Sequence, residues 1–343
     1  MRLFFTDSSK APFSFMSHCP VTTDIDRAAA ALRDGRLVAF GTETVYGLGA
    51  NALDVAAVAA VFEAKDRPYL DPLIVHIADT HWLPQIASDV SPTAQKLIQA
   101  FWPGPLTLVL PKTELIPDLV TSGLPSVAIR MPAHSQAREL LLQVNLPIAA
   151  PSANPFGQLS PTTAEHVATT LGNRLDLILD GGPCRVGVES SVILMTESPP
   201  RILRHGGITQ EQIEDVIGTV HQTPAAAADC SSTHSPAPSP GMQLQHYSPG
   251  TPLAMVTDVD LPALLAGDRR IGALTLSAIE AASAFDRLEV LSPDRNLRTA
   301  AAGFFAALRR LDAAGLAQIV AWPFPDEGLG RALNDRLHRA CHT

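Results

Sequence analysis

Short apolar runs alternate with helix-periodic stretches along most of the chain. LVAF (37–40), PLIVHI (72–77), LTLVL (106–110), SVAIRM (126–131), PIAA (147–150), DLILD (176–180), SVILM (191–195) and RILRH (201–205) have the length and apolar content of strands. Several are apolar at nearly every position, the pattern of strands covered on both faces. Between them, DIDRAAAALRDG predicts a helix with Thr23 as its N-cap and Gly35 just past its end. SPTAQKLIQAFW predicts another, with Ser91 as cap and Pro92 at the first helical position. Beyond residue 250 the alternation resumes with PLAMV, a helix-like DLPALLAG, RIGALTL, the long helical NLRTAAAGFFAALRRLDAAG and AQIVAW.

HQTPAAAADCSSTHSPAPSP (221–240) interrupts this rhythm. It holds no Leu, Ile, Val, Phe, Trp or Tyr, and 13 of its 20 residues are Pro, Ala or Ser. Such a stretch cannot bury enough apolar area to offset the entropy of ordering it. It divides the chain into a larger unit at 20–218, a linker at 219–249 and a smaller unit at 250–343. With 343 residues, 46% of them apolar, there is material for two cores. The expected class is α/β: a large, twisted mixed sheet with flanking helices, then a smaller, doubly wound, Rossmann-like unit.

Charge and cysteine usage narrow the functional classes. Twenty-five basic against 34 acidic residues leave a formal net charge of −9, so the whole chain is no electrostatic match for nucleic acid. No apolar run approaches the ~18 to 20 residues of a membrane-spanning helix. Cys19, Cys184, Cys230 and Cys341 are far apart and form no CxxC pair, which argues against zinc ribbons, iron–sulfur ligation and a disulfide framework. The first 20 residues lack the apolar centre of a secretory signal, and Met16 is a candidate start. A cytoplasmic enzyme is the expectation, with the charged stretches of the smaller unit as solvated helix faces.

Four stretches carry chemistry rather than core, each at a strand end, where open α/β sheets bind ligands. GTETVYGLGAN (41–51) reads as a loop bearing the hydroxyls of Thr42, Thr44 and Tyr46. KDRPYLDPLIVHI (65–77) places Lys65 and Arg67 at a helix end, suited to polyphosphate or simply to the helix dipole, and places His76 inside a strand. Arg130 ends the strand SVAIR, an expensive place for a charge without an anionic partner. That partner is either a substrate carboxylate or a buried acid. APSANPFGQLSPT (150–162) adds Ser152, Asn154 and Ser160 before a helix start, as anion ligands or as helix caps. GGPCRVGVESSVILM (181–195) brings Ser190, and ILRHGG brings Arg204. Cys184 lacks a nearby His and reads as inert. Neither a GxGxxG fingerprint nor a P-loop occurs.

In order along the chain, TETVYGLGANA, KDRPYLDPLIVHI, SVAIRMP, APSANPFGQLSPT and GVESSVI resemble the motifs of the YrdC/Sua5 family. SPGMQLQHYSPGTPL and GLGRALNDRLHRA resemble the linker and C-terminal domain of the longer Sua5 type, so the likeness covers about residues 20 to 343. It implies a YrdC-like sheet domain and an L-threonylcarbamoyladenylate synthase, a nucleotidyltransferase. Such an enzyme forms threonylcarbamoyl-AMP and pyrophosphate from L-threonine, bicarbonate and ATP. A separate tRNA threonylcarbamoyl-transferase complex would receive the product for adenosine 37 of ANN-decoding tRNAs, with at most a weak tRNA contact here and no membrane. By the same resemblance Thr44, His76, Arg130, Ser190 and the backbone at Ala150 would hold threonine. Lys65, Arg67, Asp71, Ser126, Ser152, Ser160 and Arg204 would hold ATP, and Tyr247 of the linker would close over the nucleotide. Asp71 stands where the family usually has Asn. Magnesium is expected with the nucleotide, on phosphates and water rather than in a protein cage, with no prosthetic group. A displacement at phosphorus needs positioning and charge neutralisation rather than a covalent nucleophile, so no catalytic side chain is assigned. A reading from another class, a non-catalytic double-stranded-RNA-binding module, is weakened by the acidic balance and by the lack of interleaved aromatic and basic residues.

Overall fold

The computed structural model describes residues 19–222, 247–257, 260 and 270–341. Residues 223–246 of the expected linker, all but the first residue of the helix expected over DLPALLAG, Met16 and Cys230 lie outside them.

The eight strand-like runs and three further strands form one sheet of β1 (Val21–Thr22), β2 (Val38–Gly41), β3 (Tyr46–Asn51), β4 (Ile74–His76), β5 (Leu106–Pro111), β6 (Ser126–Arg130), β7 (Ile148–Ala149), β8 (Leu177–Leu179), β9 (Ser191–Leu194), β10 (Arg201–Arg204) and β11 (His221–Gln222). No apolar run announced β1, β3 or β11, the last of them inside the expected linker. Its order is β1-β8-β2-β3-β7-β4-β6-β5-β9-β10-β11. The sheet is mixed. Parallel pairs such as β4–β6 and β5–β9 alternate with antiparallel ones such as β2–β3, β4–β7 and β5–β6. Every strand expected in this unit forms, within one or two residues at each end.

Residues 46–51 correct the reading of 41–51 as a loop throughout. They form β3, a hairpin partner of β2 with Phe40 opposite Gly47. The glycines hid the strand, yet they are what lets it pack: a Cβ on Gly49 would come within 2.8 Å of the Phe40 ring. The first helix, Ile25–Arg33, is capped by Asp24 rather than Thr23, through a hydrogen bond accepted from the Arg27 amide. Helix Pro92–Phe101 begins as expected, with Ser91 as cap.

A second sheet holds β12 (Leu253–Met255), β13 (Ile271–Thr275), β14 (Arg287–Val290) and β15 (Gln318–Ala321), all parallel, in the order β12-β15-β13-β14. Strand β14, short and half polar, escaped the apolar-run criterion. Helices Leu297–Asp312 and Leu329–Cys341 supply apolar side chains to the cluster on one face of this sheet. Val45, Leu159 and Val188 of the larger unit belong to that same cluster, beside Phe304, Phe305 and Leu308. Each is the chain neighbour of a residue singled out above: Thr44, Ser160 and, one position further, Ser190. Among the described residues, no helix is long and apolar enough to cross a membrane.

Candidate active site

Strand register builds the site. His76 at the end of β4 lies opposite Arg130 at the end of β6, and Arg130 lies opposite Thr107 of β5. Thr107 pairs with Val192 of β9, which pairs with Arg204 at the end of β10. Five adjacent strands thus line up His76, Arg130, Thr107, Val192 and Arg204 in one row, because partners in register share a face of the pleat. Above the row is a cavity that opens to the surface. Its wall includes nine of the expected residues: Thr44, Arg67, His76, Arg130, Ala150, Ser152, Ser190, Arg204 and Tyr247.

On one side, the hairpin between β2 and β3 points hydroxyls inward. The Thr44 hydroxyl accepts from Arg130 Nη1 at 2.8 Å and meets the Thr42 hydroxyl at 2.8 Å. Arg130 also donates from Nη2 to Glu43 Oε1 at 2.7 Å and from Nε to the Gly104 carbonyl at 3.3 Å. Of the two partners the sequence allowed this arginine, the buried acid is therefore present. Guanidinium has five N–H donors, so one remains on each terminal nitrogen for a ligand. Burial would raise the Glu43 carboxyl, but the charge and hydrogen bond of Arg130 together with backbone hydrogen bonds at Glu43 and Ala133 offset it and hold the group below the usual range. His76 is fully enclosed. Desolvation and the nearby Arg130 charge push it down to about 3, so it is a neutral imidazole.

On the other side, Ser190 is held from two directions. Its hydroxyl meets that of Thr107 at 2.7 Å, and Arg204 Nη2 reaches the same oxygen at 3.3 Å. Burial lowers Arg67 and Arg204 from the ordinary guanidinium value. Guanidinium groups in a cavity wall suit an anionic ligand. Tyr247 is buried against Phe305, with ring centroids 5.7 Å apart, and adopts the left-handed region at φ 66°. The next residue anchors the backbone there, Ser248 N–H donating to the Gly157 carbonyl at 2.8 Å.

Four expected residues stand outside the wall. Lys65 is buried at the end of helix Val55–Lys65 and donates to the carbonyls of Ser152 and Asn154, which pins the loop after β7. Desolvation first and Arg67 second push its ammonium well below the ordinary lysine value. Asp71 forms an ion pair with Arg67 at 2.8 Å, both fully or almost fully buried, so it neutralises that cation from behind. Ser126 opens β6, roughly 13 Å along the strand from Arg130 at ~3.3 Å per residue. Ser160 donates to Glu189 Oε1 at 2.6 Å, and the cap of the following helix is Thr163. The Cys184 thiol is buried and pushed up to about 12, unsuited to nucleophilic attack.

Sequence reasoning did not single out Glu43, Thr107 or Glu189. Glu43 and Glu189 lie inside quoted motifs, and an acid in an otherwise apolar, buried motif was the available signal. Thr107 gave none, being one hydroxyl within the strand run LTLVL. Glu189 is the carboxylate in the cavity wall, and among the described residues no cluster of three His, Cys, Asp or Glu could hold a metal ion.

Comparison with known proteins fits this geometry. A family model described as "Telomere recombination", that of the Sua5/YciO/YrdC domain, matches residues 30–206, and a "Threonylcarbamoyl-AMP synthase, C-terminal domain" model matches 208–341. Threonylcarbamoyl-AMP synthase of Pyrococcus abyssi is 44% identical over 319 residues, covering 91% of this chain and 92% of the relative. The Bacillus subtilis protein of the same name is 45% identical over 323 residues, covering 92% of each. The crystal structure of P. abyssi Sua5 complexed with L-threonine has TM-score 0.85 and 42% identity, covering 92% of this chain and 94% of that one. Two domain models in sequence, close relatives along nearly the full length and a shared fold agree: the chain belongs to the Sua5/YrdC family of threonylcarbamoyl-AMP synthases.

Proposed function

We propose that this chain condenses L-threonine, bicarbonate and ATP into threonylcarbamoyl-AMP and pyrophosphate, in the cavity above the β4–β6–β5–β9–β10 row. What carries the reading is the pairing of a neutral imidazole and a half-committed arginine on one side with buried guanidinium groups on the other. An amino acid and a polyphosphate need those two surfaces together.

The threonine amine adds to bicarbonate with loss of water to give a carbamate. A carbamate oxygen then attacks the α-phosphorus, and the bond to the β-phosphate oxygen breaks, releasing pyrophosphate. On this proposal the free Arg130 donors receive the threonine carboxylate, while Thr44, His76, Ser190 and the backbone at Ala150 fix the rest of the amino acid. His76, remaining uncharged, adds no competing cation. Arg67, Arg204 and Ser152 face the phosphates, and Lys65 shapes the loop that carries Ser152. Asp71, Ser126 and Ser160 belong to the nucleotide side at one remove. Tyr247 closes that end, limiting water access to a labile acyl phosphate. Magnesium would enter with the nucleotide, on phosphate oxygens and water, since Glu189 of the cavity wall is already hydrogen-bonded. The product would pass to a tRNA threonylcarbamoyl-transferase complex for t6A formation in the cytoplasm, with tRNA itself a weak contact.

The test is pyrophosphate release that requires threonine and bicarbonate together, with threonylcarbamoyl-AMP identified by mass spectrometry. Equal release with serine, or no adenylate of that mass, would reject the reading.

A further inference from the structure

The charged tail GLGRALNDRLHRA was expected to be a solvated helix face. Arg336 overturns that expectation at one position: its side chain is completely buried, in helix Leu329–Cys341 of the second domain. Nε donates to Glu189 Oε2 at 3.0 Å, and Nη1 donates to the His205 carbonyl and to Asp335 Oδ2, each at 2.7 Å. The guanidinium carbon lies 5.4 Å from the centroid of the Tyr247 ring. The other Glu189 oxygen accepts from Ser160. One carboxylate of the cavity wall is thus clamped between a hydroxyl of its own domain and an arginine of the other.

We propose that Arg336 is a positioning residue for the nucleotide half of the cavity, acting from the C-terminal domain through Glu189 on Ser160 and directly on Tyr247. This rests on the reading above that the polyphosphate lies toward Arg204 and Tyr247. A buried ion pair is poor evidence for stability, because desolvating two charges consumes most of the attraction. Its placement is the informative part. Without Arg336, Glu189 would present an uncompensated carboxylate to a polyanion. With it, that charge is neutralised and its second oxygen is aimed at Ser160. The same guanidinium covers the face of Tyr247, an arrangement favoured when the cation is desolvated. Burial alone would lower Arg336, but the Tyr247, Glu189 and Asp335 oxygens together raise it, so the clamp stays charged.

The experiment follows pyrophosphate release by the full chain and by Arg336→Met and Arg336→Lys, varying ATP at saturating threonine and then threonine at saturating ATP. Methionine keeps the apolar stem without the charge. It should raise KM for ATP about tenfold or more and leave KM for threonine within about twofold. Lysine keeps a positive charge beside Glu189 and should recover part of the loss. In a double-mutant cycle with Ser160→Ala, the combined effect should fall short of the product of the single effects, as for residues acting in one chain. An unchanged KM for ATP, equal increases in both KM values, or independent effects in the cycle would overturn the proposal. If Arg336→Met is insoluble, Arg336→Lys alone decides, since a purely structural role predicts wild-type kinetics once it folds. A wild-type chain releasing no pyrophosphate with all three substrates present would reject the underlying function and this proposal with it, whereas an active wild type confines any failure to Arg336.

Discussion

Glu43 and Arg130 meet at 2.7 Å with neither side chain more than 4% exposed, although 87 residues separate them in sequence. The pair does two things at once. It lets a guanidinium sit at a strand end inside the protein, and it fixes the plane in which the remaining N–H donors face the cavity. Glu43→Gln should therefore lower stability by about 3 kcal/mol at neutral pH, because it leaves Arg130 buried without its counter-charge. It should also weaken threonine binding by calorimetry. The sign with pH follows from the depressed carboxyl: its contribution is complete above the ordinary glutamate range, about 4.3, and fades as pH falls through the lower folded value. Wild type and Glu43→Gln should converge in acid-unfolding curves, and parallel curves would count against the pair.

His76 predicts a second pH effect. The folded group takes up its proton only near 3, whereas the unfolded chain does so near 6.5, so unfolding binds a proton between those values and stability falls as pH is lowered. Its share is about 1.4 kcal/mol per pH unit within that window. His166, pushed down to about 4 by burial and by Arg309 and Arg310, and His205, lowered mainly by burial, act in the same direction. His76→Gln should reduce the slope of denaturant-derived stability against pH by about one proton between pH 6 and 4. An unchanged slope would mean that the imidazole is hydrated.

The strands and the charged residues that end them were legible because apolar runs and expensive charges are local features. LVAF, LTLVL and SVILM announce themselves, and an arginine ending such a run asks for a partner wherever that partner is. What stayed hidden depends on distant contacts. Strand β3 looked like a loop because its glycines, which admit the Phe40 ring, erase the usual strand composition. Glu43 could not be matched to Arg130 without the fold that brings the β2–β3 hairpin over β6. Arg336 sits in a charged, amphipathic tail, and only the neighbouring domain decides that this one position is interior. Asp24 and Thr23 are both good caps, and a one-residue difference in helix start decided between them.

Thr107 tests how Ser190 is oriented. Thr107→Val keeps the shape and removes the 2.7 Å contact between hydroxyls. A lost buried hydrogen bond of about 1 kcal/mol corresponds to roughly fivefold weaker threonine binding, with ATP affinity unchanged. Equal loss of both ligands in titration calorimetry would show that the threonine instead supports the sheet.

Asp71 tests the charge balance on the nucleotide side. The aspartate neutralises Arg67 from behind the wall, at 2.8 Å and with no exposure. Asp71→Asn should lower the thermal midpoint by several degrees, since a cost of about 1 to 2 kcal/mol shifts a domain of this size by a few degrees per kcal/mol. The same change frees more of the Arg67 field for phosphate, so KM for ATP should fall about threefold at low salt. A higher KM would mean that Asp71 holds Arg67 in place rather than moderating its charge.

Val45, Leu159 and Val188 belong to the apolar cluster around Phe304 and Phe305, and Val45 also lines the cavity. The candidate-site loops of the first sheet therefore rest on apolar side chains that belong to the second. A relative ending after the first sheet would have to repaint those three positions with polar side chains or recruit another covering. The loop motifs and the trailing domain therefore share one apolar core.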